Sequence, residues 1–522
     1  MLSSQFPEIF IPTAPQLSLL FTFISNPQFA TTTKKREIKS DSVLLTDLEG
    51  TGITDTSFAD TPTCEVATRL LAKVLKAGVP IKDLGFDKVF SIQTRKVKRA
   101  LPPTTRKRAC TRFSDPIDDV DEDGVIRSKN MKLMWQSADR SIRRIISWGF
   151  RCASAYGVSR IDKSVPEADG VRTLESRWPI WRTVLMFIVE ILERDWHEAF
   201  DVNQEIQTNE TEAALRQTLW FTVLKGTETD DYVIDWKSAL KAIFACNTGN
   251  TSASIRPIYS TEVNKKSRLR TFDDNPHCLC SDSYAHSFGD VIALDLRRRL
   301  LGLLYDAITL VPGLIDQQTF FREMTMYMRD SCQANFAFFL EAPTSICSSK
   351  SDYTVLLCDA ILQPLALCPV MPKNWLYSYE KGKMYMAEYL QLCPIEHRVN
   401  GKDGQVEDVI KVALVVETLF KTWVKVRLTA IGAHARTKSP QNTQSSPALE
   451  RELIPDSQPS EDGVTDEFDD SIERGIVERM IMFMELEPER KNVKQHDNWD
   501  RLRLILISSG THITLMKNSL KS

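Results

Sequence analysis

The chain has 522 residues, of which 42% are hydrophobic, and this is enough for one large or two ordinary domains. Its formal net charge of −3 excludes a basic overall surface, so any binding of nucleic acid would depend on local basic patches. No stretch reaches the roughly 18 uninterrupted apolar residues of a membrane span, so no membrane partner is expected.

The 11 cysteines indicate the redox compartment. Most of them lie in apolar stretches, where a free thiol packs as a small hydrophobic group, and a chain of this length does not need disulfides for its core. No Lys or Arg precedes Lys34, so the short apolar run at 17–24 lacks the positive region of a signal peptide. We therefore expect a reduced protein of the nucleus or the cytoplasm.

Residues 1–125 are rich in Thr, Ser and Pro and carry charge in blocks, which predicts a largely disordered N-terminal arm. One island departs from this composition, because its apolar residues recur at helical spacing. The pattern predicts a short amphipathic helix that docks either on a partner or on the chain's own core. The island consists of Val66, Leu70, Leu71, Val74 and Leu75.

Two basic clusters lie between residues 95 and 108 of this arm, and Pro102 and Pro103 separate them. Basic side chains on an extended chain are what an import receptor binds, so the pattern predicts nuclear targeting with an import receptor as partner. A solvated charge run or a phosphate-binding patch is the alternative. The targeting residues are Arg95, Lys96, Lys98, Arg99, Arg106, Lys107 and Arg108.

The acidic run that follows resembles the start of a calcium-binding EF-hand loop, with Asp119, Asp121 and Asp123 before Gly124. The twelfth position of that loop is Asn130, where the bidentate Glu of the motif is missing. We therefore interpret the run as an acidic linker.

A second set of metal-type side chains lies farther along the chain, in a polar stretch. His277, Cys278, Cys280 and His286 are residue types that zinc prefers, but their spacing matches no standard finger. The chain also contains no complete catalytic motif. We expect no metal, no cofactor and no catalytic residue that the sequence can name.

Residues 126–432 show the 3.6-residue apolar period of amphipathic helices in segment after segment, which predicts an all-α core. The helix at about 176–196 is apolar on most sides and should be central. Helix starts are unevenly spaced, so an irregular helical bundle and a degenerate helix-pair solenoid both fit. The other helices are predicted at about 128–150, 211–224, 232–245, 291–310, 317–340, 353–367, 379–392 and 406–428.

The first of these helices carries an arginine face opposite its apolar face. Several arginines on one face can bind phosphate groups or an acidic partner. A solvated helix face is the alternative. The four residues are Arg140, Arg143, Arg144 and Arg151.

Two polar stretches interrupt the apolar pattern. Residues 246–287 are too many for an ordinary loop and predict an irregular insert in the core. Residues 433–470 predict a disordered acidic linker, and residues 471–522 predict short C-terminal helices.

These features favour a non-enzymatic interaction scaffold that is nuclear and binds protein partners through its helical core and through short motifs in its arms. A nucleic-acid-associated factor that uses residues 95–108 and the arginine face is the second hypothesis. An enzyme whose site is assembled from distant residues is the third.

Overall fold

The computed structural model describes residues 11–26, 62–90, 141–161, 174–200, 208–225, 234–246, 257–259, 288–311, 316–329, 333–344, 349–366, 411–423 and 425–426, with the single residues Phe29, Met134, Glu262, Ser331, Ile346, Trp375 and Tyr385. These residues are mainly helical, and among them no strand occurs beyond an isolated antiparallel bridge between Lys225 and Ile234. The prediction of an all-α fold is confirmed. The chain divides into two compact units, residues 1–314 and 315–522.

The first unit is an irregular bundle. Its described helices are α1 (Ala14–Ser25), α2 (Thr63–Lys76), α3 (Phe86–Phe90), α4 (Ile142–Ile161), α5 (Trp178–Ala199), α6 (Thr208–Gln217), α7 (Leu219–Leu224), α8 (Trp236–Ile243) and α9 (Val291–Leu310). Helix α5 packs against α1, α4, α6, α7 and α9. In a solenoid each repeat would contact only its neighbours, so the contacts of α1 and α9 with α5 exclude that architecture for this unit.

Helix α5 is central because it is apolar on most sides. Pro179 lies in its first turn, where a missing backbone N–H costs nothing. Trp181, Ile188 and Leu192 are completely buried, and burial of one such side chain stabilises the fold by about 1.5–3 kcal/mol. Helix α4 crosses α5 closely at Gly149, since a Cβ atom there would lie 2.7 Å from a methyl carbon of Leu185.

Helices α1 and α3 depart from the disorder that composition predicts for the N-terminal arm, whereas α2 is the amphipathic helix that the island predicts. Helix α1 contains no charged residue, and its Leu17 and Phe21 are completely buried. It packs against α2, α3 and α5. Leu71 and Leu75 of the predicted island are buried as well, so α2 docks on the chain's own core.

Two predicted helices are each broken into two. In the segment predicted as one helix at 211–224, α6 ends at Gln217 and α7 begins at Leu219. The hydroxyl of Thr218 donates to the carbonyl of Leu215 and accepts from the N–H of Phe221, so it closes α6 and caps α7. The segment predicted at 317–340 is interrupted after Arg329.

The second unit contains α10 (Gln317–Arg329), α11 (Gln333–Leu340), α12 (Lys350–Ala366) and a helix at 411–423. Helix α10 packs against α11 and α12, and the rings of Phe321 and Tyr353 meet edge-on at 5.4 Å. The Lys411 ammonium is buried and donates to the carbonyl of Arg329 at the end of α10. A cation at a helix C-terminus satisfies a carbonyl that has no partner within the helix.

No helix in the described part of the chain is long and apolar enough to cross a membrane. Apart from Tyr385, the helix predicted at 379–392 lies outside the described residues. The predicted linker at 433–470 and the predicted C-terminal helices at 471–522 lie outside them too.

Candidate functional site

A fully buried carboxylate from the predicted insert lies between α4 and α5 of the first unit. Glu262 is 0% exposed, and its Oε1 accepts hydrogen bonds from the indole N–H groups of Trp148 at 3.1 Å and Trp181 at 2.7 Å. Its Oε2 accepts from the backbone N–H of Tyr259 at 2.8 Å. We call Glu262 with Trp148 and Trp181 the carboxylate clamp, and it joins the insert to α4 and α5.

The same stretch of the insert makes two further contacts with the bundle. The hydroxyl groups of Tyr259 and Ser25 are 2.6 Å apart, which joins the insert to the end of α1. The guanidinium of Arg144 donates to the carbonyl of Pro257 at 3.0 Å, which joins it to α4. Pro257, Tyr259 and Glu262 therefore connect α1, α4 and α5.

Burial raises the pKa of Glu262, although the hydrogen bonds from Tyr259, Trp181 and Trp148 oppose this effect. Burial also raises the pKa of the Cys152 thiol well above its ordinary value, and the nearby Glu262 adds to the increase. Cys152 is therefore a protonated, packed thiol, and it lacks the lowered pKa of a nucleophilic cysteine.

Arg297 of α9 is a buried cation surrounded by backbone carbonyl groups. Its guanidinium donates to the carbonyl oxygens of Phe150 at 3.2 Å, Ala245 at 2.9 Å, Phe288 at 3.2 Å and Ile243. Burial lowers its pKa to about 9, so it stays cationic at neutral pH. A guanidinium presents five N–H groups in a planar fork, which is why one arginine can satisfy several carbonyls. This carbonyl cradle, formed by Arg297 and these four carbonyls, ties α9 to α4 and to the end of α8.

Two residues one turn apart in α5 hold the last turn of α2 and the backbone that connects it to α3. Arg194 donates to the carbonyl oxygens of Leu75 at 2.5 Å and Val79 at 3.2 Å. Glu198 accepts from the N–H of Ile81 at 2.8 Å. We call Arg194 and Glu198 the turn anchor. Because α5 is the central helix, the turn anchor fixes where α2 ends relative to the core.

Asp195 lies beside the turn anchor and caps α7. It is 1% exposed, and its Oδ2 accepts from the N–H of Leu219 at 2.6 Å. Burial raises its pKa from 3.8 to about 6, while the hydrogen bond from Leu219 opposes the increase. A raised carboxyl pKa often marks an active site, but this carboxyl already serves the N-terminus of a helix.

Helix α2 presents an exposed side as well as the side that it buries against the core. Leu70 is 48% exposed, and Val66 and Val74, one turn before and after it, are half-buried. The exposed cations Arg69, Lys73 and Lys76 border this apolar stripe. We define the outer face of α2 as Val66, Arg69, Leu70, Lys73, Val74 and Lys76.

The described residues of the predicted arginine face contact other parts of the first unit or are buried in it. Arg143 is buried and forms an ion pair with Asp235 at 2.8 Å. Arg144 holds the insert, and Arg151 is 3% exposed, with a pKa that burial lowers. Arg140 lies outside the described residues. Binding of phosphate or of an acidic partner by this face stays a prediction.

Several predicted site residues lie outside the described part of the chain. These are the seven targeting residues between 95 and 108, the calcium-like run at 119–130 and the zinc-like set at 277–286. Among the residues that the structure does describe, no group of three or more His, Cys, Asp or Glu side chains has the arrangement to hold a metal ion.

Neither Glu262 nor Arg297 was predicted as a site residue, because the sequence around each one hides it. Glu262 is one acid in a polar stretch, and Arg297 is the first of three consecutive arginines in α9. One feature of the sequence pointed to Arg297, because it is a charged residue in α9, a helix that is otherwise strongly apolar. Comparison with protein-family models finds no match for this chain, and comparison with curated proteins finds none either.

Proposed function

We propose that the protein is a non-enzymatic interaction scaffold, in which a rigid helical bundle presents the outer face of α2 to protein partners. The observation that carries the proposal is the stripe formed by Val66, Leu70 and Val74 on a helix whose other side is already buried. A single exposed leucine is ordinary on a protein surface. Three apolar side chains in line along a helix, with cations beside them, are typical of helix docking.

The buried charges support a framework role for the bundle. Glu262, Arg297 and Asp195 each direct their hydrogen bonds at backbone or indole groups of other segments. A charge that is removed from water costs free energy unless it is fully paired, so such groups favour one arrangement of the helices. A fixed arrangement suits a protein that presents a surface.

The basic run at 95–108 supports the nuclear part of the proposal. Its seven cations begin five residues after the end of α3, and Pro102 and Pro103 lie between the two clusters. Proline disfavours a helix that would bury one cluster against its own turn. Recognition by an import receptor needs two basic clusters that are accessible and extended.

A photoreactive amino acid at position 70 of the full-length chain tests the scaffold proposal in the native cell. Partner proteins should crosslink there and be identified by mass. The matched control is position 212, because Glu212 is similarly exposed, at 52%, on α6 of the same unit. If position 70 captures no more protein than position 212, the proposed role of α2 is wrong.

A nucleic-acid-associated factor remains the alternative, since the basic run also suits phosphate groups. If this alternative holds, the protein should bind DNA or RNA with an affinity that falls steeply as the salt concentration rises. Replacing the charged side chains of residues 95–108 by neutral ones should abolish this binding.

A further inference from the structure

We infer that the outer face of α2 binds an acidic amphipathic helix of a partner protein. This inference rests on the proposed function and specifies the chemistry of the partner. Helix α2 carries three cations, Arg69, Lys73 and Lys76, and a single anion, Glu65. The face is therefore net positive, although the whole chain is slightly negative.

The positive charge that is open to a partner lies in the C-terminal half of α2. Glu65 already pairs with Arg69, one turn away, at 2.5 Å. Lys73 and Lys76 are exposed and form no ion pair with any residue that the structure describes. A partner with carboxylates beside its apolar anchors would place them against these two ammonium groups, and opposite charges across an interface favour one partner and one register.

The apolar stripe sets the size of the partner. The positions 66, 70 and 74 span two turns of α2, or about 12 Å at 1.5 Å per residue. Two turns of a partner helix present anchors at i, i+3 or i+4, and i+7 over the same length. A helix of three to four turns is therefore sufficient to cover the stripe and to reach Lys73 and Lys76.

A protein helix fits this face better than a membrane surface does. A membrane-bound helix buries Trp, Phe and Leu side chains about 5–10 Å into the boundary between lipid headgroups and acyl chains. In the stripe only Leu70 is large and well exposed, while Val66 and Val74 are half-buried. The stripe can seat a partner's side chains, but it has little to insert into lipid.

The inference is tested with the full-length chain and two synthetic helical peptides of about four turns. Both carry Leu at the anchor positions, and one has Glu on its flanks where the other has Lys. Fluorescence anisotropy should show binding of the Glu-flanked peptide only. The variant Lys73→Glu/Lys76→Glu should weaken this binding at least tenfold, and Leu70→Asp should weaken it to a similar extent. The matched control Lys241→Glu/Lys350→Glu makes the same change of charge at exposed positions outside α2 and its anchored turn, and it should bind as the wild type does.

Four results would overturn the inference. The Lys-flanked peptide could bind equally well, or the control variant could lose as much affinity as the α2 variant. Vesicles of phosphatidylcholine and phosphatidylserine could bind the wild type while both peptides do not, which would make the face a lipid surface. The peptide could bind only after the acids of residues 115–123 are replaced by amides, which would make the chain's own acidic run the occupant.

The inference and the proposed function fail separately. Crosslinking of proteins at position 70 together with no binding of the acidic peptide contradicts the partner's chemistry alone. Equal crosslinking at positions 70 and 212 contradicts the scaffold role itself. Circular dichroism of each variant shows whether the fold is intact, and a variant that keeps its helical spectrum gives a valid affinity.

Discussion

The indole N–H of Trp181 donates a hydrogen bond of 2.7 Å to the carboxylate of Glu262, so a residue of the polar insert is bonded to the central helix. The carboxylate is completely buried, and its other partners are the indole of Trp148 and the N–H of Tyr259. An anion in such a place stabilises the fold only while all of its donors are present, because unpaired buried groups are costly.

Glu262→Ala should therefore destabilise the first unit by about 3–5 kcal/mol, because it leaves two indole N–H groups and one backbone N–H without an acceptor. Unfolding in urea, followed by tryptophan fluorescence, measures the loss. Glu212→Ala on the exposed side of α6 is the control and should change the free energy of unfolding by less than about 0.5 kcal/mol. Equal effects of the two substitutions would show that Glu262 does not hold the insert.

Asp195 should make stability depend on pH in the mildly acidic range. Its pKa is raised from 3.8 to about 6 in the folded chain, so between these values the folded state binds more protons than the unfolded state. The contribution of Asp195 to stability must then fall as the pH rises through this window. The free energy of unfolding of the wild type, minus that of Asp195→Asn, should decrease by on the order of 3 kcal/mol from pH 4 to pH 7.

Urea unfolding of both proteins at stepwise pH gives this difference directly. Asp83→Asn, on the exposed turn before α3, controls for the loss of one negative charge. A difference that rises with pH, or that Asp83→Asn reproduces, would contradict the account of Asp195 as a desolvated helix cap.

Arg297→Met should unfold the first unit or destabilise it by about 3–5 kcal/mol, because four buried carbonyl groups lose their donor. Arg297→Lys should recover only part of this loss, since an ammonium has three N–H groups and no planar fork. Thermal unfolding measures both, and Arg69→Met, at an exposed position of α2 in the same unit, is the matched control. Full rescue by lysine would mean that charge alone matters at this position.

Replacement of Lys96, Lys98, Arg99, Arg106, Lys107 and Arg108 by Ala should move a fluorescent fusion of the full-length chain from the nucleus to the cytoplasm. Import recognition depends on the charges themselves, so their removal abolishes it. The helical circular dichroism spectrum of the purified variant should match that of the wild type. Nuclear accumulation of the six-fold variant, or a wild-type fusion that stays cytoplasmic, would contradict the targeting prediction.

The sequence was sufficient for helices whose signals are local. Helix α9 was predicted at 291–310 and is found at Val291–Leu310, because Asp290 caps its first turn and Pro312 follows its end. The central position of α5 was predicted correctly too, since a helix that is apolar on most sides must be enclosed by others.

Contacts between distant segments could not be predicted in this way. Glu262 accepts hydrogen bonds from Trp181, 81 residues away, and from Trp148, 114 residues away. The apolar period of a sequence predicts helices but carries no information on which distant residues meet. The arginine face shows the same limit. Helical spacing places Arg143 opposite the apolar residues, but only the fold brings Asp235, 92 residues later, against it.

The turn anchor has a thermodynamic consequence for recognition. Excised from the protein, the 14 residues of α2 would be mostly unfolded in water, because a helix of that length cannot offset its own nucleation. Arg194 and Glu198 hold the chain just past its end, and α1 packs along it, so a binding partner would meet a helix that is already formed. Ordering a disordered segment on binding costs about 2–5 kcal/mol of interaction free energy. Because α2 is already ordered in the folded protein, this cost does not reduce the affinity for a partner. A synthetic peptide of α2 should consequently bind the same ligands far more weakly than the intact chain.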